Sequence, residues 1–148
     1  MEAVLFIGIP ASGKSSFYTE RFAGTHVRIS RDILKTKHRE RRFIETCLET
    51  NQSMVIDNTC PTRLERQRLI NLIRSSSTPC RVVGYYFQSR IADCLRRNHK
   101  RADAVPEVAI IAKAKQLELP SLSEGFERLF YVRLTETGFE VEQWNDEI

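Results

Sequence analysis

The sequence predicts an α/β fold, three α/β/α layers around a mainly parallel sheet, capped by a basic helical lid. Three observations carry this. Short apolar runs alternate with longer amphipathic ones along the 148 residues. The first run, Ala3-Val-Leu-Phe-Ile7, is unbroken, as in a strand covered on both faces. It leads directly into Gly8-Ile-Pro-Ala-Ser-Gly-Lys-Ser15, a glycine-punctuated turn that opens a helix.

The elements follow in order. A helix is expected from Lys14 to about Phe22, with Gly24 as its stop. His26 to Ser30 reads as the second strand, followed by one long polar helix over 31–50. Met54-Val-Ile-Asp57 is the third strand. Pro61 then suits the first turn of a helix over 62–75, with Leu64, Leu69, Leu72 and Ile73 facing inward. Arg81 to Phe87 is the fourth strand, and helices over 89–99 and from Pro106 to Glu118 come next. Phe130 to Leu134 and Phe139 to Val141 read as a closing hairpin around Glu136-Thr-Gly138.

Length and composition bound the function. The chain has the size of a single domain, residues 1–148, and is long enough to bury a core without staples. No apolar run approaches a membrane span, and the opening stretch carries Glu2 where a leader peptide needs basic residues. A cytoplasmic protein is expected, with no membrane partner. The four cysteines lack Cys-x-x-Cys spacing and have no histidine at zinc-finger intervals, so reduced thiols are expected. Net charge is only +4, yet the basic residues crowd into 28–42, 63–74 and 96–101. Such clusters suit a polyanion or a nucleotide, and equally a solvated helix face.

Gly8-x-x-x-x-Gly13-Lys14-Ser15 is a complete phosphate-binding loop. Glycines let the backbone curl so that, beyond Pro10, the successive N–H groups of Ala11, Ser12 and Gly13 can cradle phosphate oxygens. The helix N-terminus adds its positive end. Lys14 can bridge the terminal phosphates of ATP, Ser15 can ligate Mg²⁺, and Ser16 can support a further phosphate contact.

A phosphate loop specifies a nucleotide and leaves its fate open. Ligands of open α/β sheets lie at the carboxyl ends of the strands, where Asp32 and Asp57 fall. Asp32 is the better candidate for the base that takes a proton from an acceptor hydroxyl, and Asp57 for the metal side. Each also has a plain structural role open to it, a first-turn acid for Asp32 and an Asx turn with Asn58 for Asp57. The stretch Arg96-Arg-Asn-His-Lys-Arg101 before Pro106 can form the lid, because guanidinium geometry matches phosphate oxygens.

In order, Gly-x-Pro-x-Ser-Gly-Lys-Ser, Ser-Arg-Asp, Ile-Asp-Asn-Thr and Arg-Asn-x-Lys-Arg-x-x-x-Val-Pro resemble the kinase domain of 5′-polynucleotide kinases, over about residues 3–134. The segment Leu119 to Phe126 is similar to that family's closing segment. The resemblance implies a P-loop kinase fold and transfer of the ATP γ-phosphate to a 5′-hydroxyl of DNA or RNA. It implies Asp32 as general base, Lys14 and Ser15 on phosphates and Mg²⁺, Asp57 beside metal and acceptor, and Arg101 as lid arginine with Arg97 nearby. Arg28, Arg31, Lys35, Arg63 and Arg66 would guide the acceptor. Lys35 stands where the family often carries an arginine, which keeps the charge and loses the bidentate geometry. The phosphatase motif Asp-x-Asp-Gly-Thr is absent from the sequence. A small-molecule kinase acting on a nucleoside, sugar or antibiotic stays open, as does an NTPase switch without an acceptor.

Overall fold

The computed structural model describes residues 1–146. Its sheet has six strands in the order β2-β3-β1-β4-β5-β6, namely β1 (Glu2–Ile7), β2 (Val27–Ile29), β3 (Met54–Asp57), β4 (Arg81–Phe87), β5 (Arg128–Thr135) and β6 (Gly138–Gln143). All pairings are parallel except that of β5 with β6, the hairpin expected from Glu136-Thr-Gly138. β1 is central, and alternation along it divides the core. Ala3, Leu5 and Ile7 join one buried cluster with Ile44, Leu48, Leu69 and Ile73. Val4 and Phe6 join another with Phe17, Phe22 and Phe87. The unbroken apolar run of β1 thus reflects a strand with helices on both faces.

α1 (Lys14–Arg21) covers one face, while α3 (Lys37–Glu49) and α4 (Arg63–Arg74) cover the other. α5 (Ile91–His99) and α6 (Glu107–Gln116) close over Ile9 at the strand ends through Cys94 and Ile110. The three layers and the helical cap expected from the sequence are therefore present.

Four expectations need correction. The helix over 31–50 is broken into α2 (Arg31–Leu34) and α3. Lys35 takes φ 71° between them, and Thr36 caps α3 by accepting the Arg39 N–H at 3.1 Å. Local capping by a threonine hydroxyl competes with helix continuation here, and no change in hydropathy marks the break. α1 ends at Arg21 with Phe22 as its C-cap, and Gly24 lies in the turn beyond it without positive φ. Leu64 is 81% exposed, because the inward stripe of α4 is Arg66, Leu69, Ile70 and Ile73 at helical spacing. Pro61 precedes the Thr62 cap and lies outside the first turn.

That stripe also removes Arg66 from the acceptor side. It is 0% exposed and donates through Nε and Nη2 to Glu124 at 2.7 and 3.3 Å, and through Nη1 to the Cys60 carbonyl at 2.9 Å. Glu124 in turn closes a capping box on Ser121. The pair locks α4 to the segment before β5. Arg66→Ala leaves the Glu124 carboxylate buried without its counterion, and is expected to cost about 3–5 kcal/mol in urea unfolding. A loss below about 1 kcal/mol, the level of an exposed pair, would show that solvent already screens it.

Candidate active site

Parallel pairing places the ends of β1, β2, β3 and β4 on one edge, and the phosphate loop leaves the end of β1. Its base is tied down on both sides. The Gly8 N–H donates to the Thr59 carbonyl beyond β3 at 3.1 Å, and the Ile9 N–H to Ser89 Oγ beyond β4 at 3.2 Å. A Cβ on Gly8 would lie 2.8 Å from Ser12 Oγ and 3.0 Å from Phe87 Cβ, so the turn closes only around glycine. Ala11 (φ 64°) and Gly13 (φ 102°) supply the left-handed curl.

Gly13 is the N-cap of α1 and gives it no side-chain cap. The N–H groups of Lys14, Ser15 and Ser16 therefore open the helix without intrahelical acceptors, a ready site for anionic oxygens. Lys14 lies back along the loop, its Nζ donating to the Gly8 and Ile9 carbonyls at 2.8 and 2.9 Å. Desolvation holds its ammonium below the usual lysine range, opposed by the Asp57 carboxylate.

Asp57 ends β3 beside the loop and is 4% exposed. Its Oδ2 accepts from Ser15 Oγ at 3.3 Å and from Arg28 Nε at 2.8 Å. Asp32 sits in the first turn of α2, where Ser30 Oγ accepts its N–H at 3.3 Å. Its side chain is exposed. A buried network holds that turn in place. Asn58 Oδ1 accepts the Arg31 N–H at 3.0 Å, and Asn58 Nδ2 donates to Glu40, which is 0% exposed. Arg68 reaches the other Glu40 oxygen at 2.8 Å.

Across the opening, Arg97 Nη1 donates to the Ala11 carbonyl at 3.2 Å. Arg101 Nε and Nη2 pair with Asp103 at 3.2 and 3.1 Å. Buried Asn98 exchanges two hydrogen bonds with the Val105 backbone, at 2.7 and 3.0 Å, and so pins both ends of this loop.

These parts enclose one cavity of about 890 Å³. Pro10, Ala11, Gly13, Lys14, Ser15 and Ser16 line its floor. Arg28, Arg31, Asp32, Lys35 and Asp57 line it as well, as do Arg97 and Arg101. Gly8 and Ser12, grouped with the loop from sequence, do not line it, and Ser12 Oγ is buried without a hydrogen-bond partner. Arg63 is exposed and Arg66 is buried in α4, and neither lines the cavity. Sequence reasoning missed Glu40, whose place in a run of arginines disguises it as a surface residue. It also missed Glu65 and Lys113 on the walls, which carry no motif. Asn58, read from sequence as a turn former, instead holds the α2 turn.

Comparison with known proteins bears on this arrangement. The family model described as AAA domain matches residues 4–120, most of the chain. The chain belongs to that family. As an AAA-domain protein it is 30% identical, over 129 residues and 84% of its length, to the bifunctional polynucleotide phosphatase/kinase of Schizosaccharomyces pombe. This bears out the resemblance read from the motifs. The chain spans about a third (32%) of the length of the curated relatives it matches. Among solved structures, a gluconokinase from Sinorhizobium meliloti 1021 superposes with a TM-score of 0.63 at 18% identity, covering 91% of this chain and 83% of its own. A chain of the Pnkp1/Rnl/Hen1 RNA repair complex gives 0.62 at 20% identity, covering 78% of this chain and 43% of its own. These two likenesses concern the fold.

Among the described residues no helix is long and apolar enough to cross a membrane. The cysteines at 47, 60, 80 and 94 are all free, and burial pushes the Cys60 thiol up to about 12.

Gly13→Ala tests the loop itself. A Cβ there would meet Phe139 Cε1 at 3.0 Å and would force a left-handed alanine. Urea unfolding should show a loss of at least about 1–2 kcal/mol, the usual strain of that conformation. An unchanged midpoint would mean that the loop relaxes freely.

Proposed function

We propose that this chain is an ATP-dependent kinase that moves the γ-phosphate to the 5′-hydroxyl of a polynucleotide or oligonucleotide. The observation that carries this reading is a shared cavity. Asp32, an exposed carboxylate held by a buried network, faces the same opening as Lys14 and Ser15 and is flanked by Arg31 and Lys35. An acceptor hydroxyl needs a carboxylate so placed, whereas a nucleotide switch would use Asp32 only as a first-turn acid of α2. The name of the Schizosaccharomyces pombe relative supports the polynucleotide acceptor.

The residues divide into a donor and an acceptor half. On the donor side the N–H groups from Gly13 to Ser16 and the Lys14 ammonium receive the phosphates of ATP. The hard oxygens of Ser15 and Asp57 suit Mg²⁺. Among the described residues no group of three or more His, Cys, Asp or Glu side chains could hold a metal alone, so phosphate and water must complete the shell. When bound, Mg²⁺ neutralises charge on the phosphate oxygens.

On the acceptor side Asp32 takes the hydroxyl proton as that oxygen attacks the γ-phosphorus and the bond to ADP breaks. Lys14, Arg97 and Arg101 meet the charge that develops, with Arg101 exchanging Asp103 for phosphate. Arg31 and Lys35 receive the acceptor's own phosphate. Lysine binds it as a point charge, which favours phosphate contact without fixed orientation.

Labelled ATP offered to a 5′-hydroxyl oligonucleotide and to a nucleoside and sugar panel is expected to label the oligonucleotide. Label on the small molecules alone would transfer the reading to a small-molecule kinase, and label on neither to an NTPase. Lys14→Ala should abolish transfer and weaken ATP binding in a fluorescent-nucleotide titration. Asp32→Ala should lower kcat about 10²–10⁴-fold with ATP affinity unchanged. Equal loss of ATP affinity in both variants would remove Asp32 from the role of base.

A further inference from the structure

Arg28 has a place in the site that the acceptor side does not explain. It is the middle residue of β2, two strands away from the phosphate loop, and its guanidinium reaches across β3 to the metal-side pair. Nε donates to Asp57 Oδ2 at 2.8 Å and Nη2 to Ser15 Oγ at 3.1 Å. The Ser15 hydroxyl donates to the same Oδ2 at 3.3 Å. The Asp57 side chain is 2% exposed and that of Arg28 27%, so the carboxylate meets its cation largely away from water. An isolated carboxylate at that depth is strongly disfavoured, and Arg28 is the cation bonded directly to it, with the Lys14 ammonium acting from further away.

Resting on the reading of Ser15 and Asp57 as the metal side, we propose that Arg28 is a resident counterion holding these two oxygens until a divalent cation arrives with the nucleotide. The lone pairs that accept from Arg28 are the ones a cation would use, directly or through its water. A guanidinium and a doubly charged ion cannot share them, because like charges at this separation repel strongly in a partly buried site. Arg28 therefore keeps the empty site from collecting free metal. The polyphosphate supplies the negative charge and extra oxygens that tip the exchange. Once released, the guanidinium remains at the cavity wall that it already lines, on the side of Arg31 and Asp32.

Nucleotide-free protein titrated with Mn²⁺, followed by electron paramagnetic resonance of the free ion, tests this without any turnover. Arg28→Gln is expected to bind Mn²⁺ about 10- to 1,000-fold more tightly than the wild type, the range over which one adjacent opposite charge alters a carboxylate's affinity for a proton. Arg28→Lys, which keeps the charge and loses the two-point grip, should fall between. Adding Asp57→Asn to Arg28→Gln should abolish the gain. Should Arg28→Gln be too unstable to titrate, its melting temperature with and without Mn²⁺ reads the same equilibrium, rising with Mn²⁺ where the wild type does not. Unchanged or weaker Mn²⁺ binding in Arg28→Gln, or a gain that survives Asp57→Asn, overturns the proposal. A wild type that phosphorylates oligonucleotides while Arg28→Gln shows no gain would remove this inference and leave the kinase reading standing. A gain that depends on Asp57 in a protein that labels no acceptor would do the reverse.

Discussion

Parallel pairing of β1 with β3 on one side and β4 on the other is the constraint from which the site follows. It brings the ends of non-consecutive segments to one edge, so that Gly8 and Ile9 meet Thr59 and Ser89 although they are far apart in the chain. Both anchors of the phosphate loop are hydrogen bonds to the segments that follow those flanking strands. Antiparallel pairing of either neighbour would remove one anchor and carry Asp57 or Ser89 to the opposite edge. The buried apolar faces of β1 thus do more than stabilise the fold, since they set the register that places Ser15 beside Asp57.

Around that frame the chain handles buried charge by local pairing. Asp57 has Arg28, Glu40 has Arg68 and Asn58, and Glu124 has Arg66. The pairs differ in consequence. The Arg66–Glu124 pair sits within packed elements and joins α4 to the segment before β5. The Glu40 network carries its effect through Asn58 to the Arg31 backbone, fixing the short helix that bears Asp32. The Arg28–Asp57 pair is at the cavity wall, where charge can be exchanged. Three similar ion pairs serve structure, orientation and the site in turn, and their distance from the cavity decides which.

The lid follows the same logic of tethered ends. Asn98 and Val105 close the loop that contains Arg101, while Arg97 one turn earlier holds the phosphate loop through Ala11. Arg97 and Arg101 on this segment therefore line the same cavity as the phosphate loop, Asp32 and Lys35. Asp103 gives Arg101 a partner on an exposed loop, where such a pair is weak enough to be traded for phosphate.

Much of this was legible in the sequence, and for a definite reason. The succession of strands and helices along the chain, the loop at 8–15, the two aspartates at strand ends and the basic stretch before Pro106 are all local patterns. Hydropathy period, glycine spacing and residue type at a strand end are carried by neighbours in the chain. Other features depended on distant partners and were not legible. The inward turn of Arg66 and the burial of Glu40 run against residue-type expectation, because each is decided by what lies across the core, while the break at Lys35–Thr36 rests on a local cap that no change in hydropathy announces. Arg28 shows the division best. Its charge and its nearness to Asp32 were visible in the chain, which placed it with the acceptor. Only the sheet, by setting β2 beside β3 and β3 beside β1, brought its guanidinium to Asp57 and Ser15.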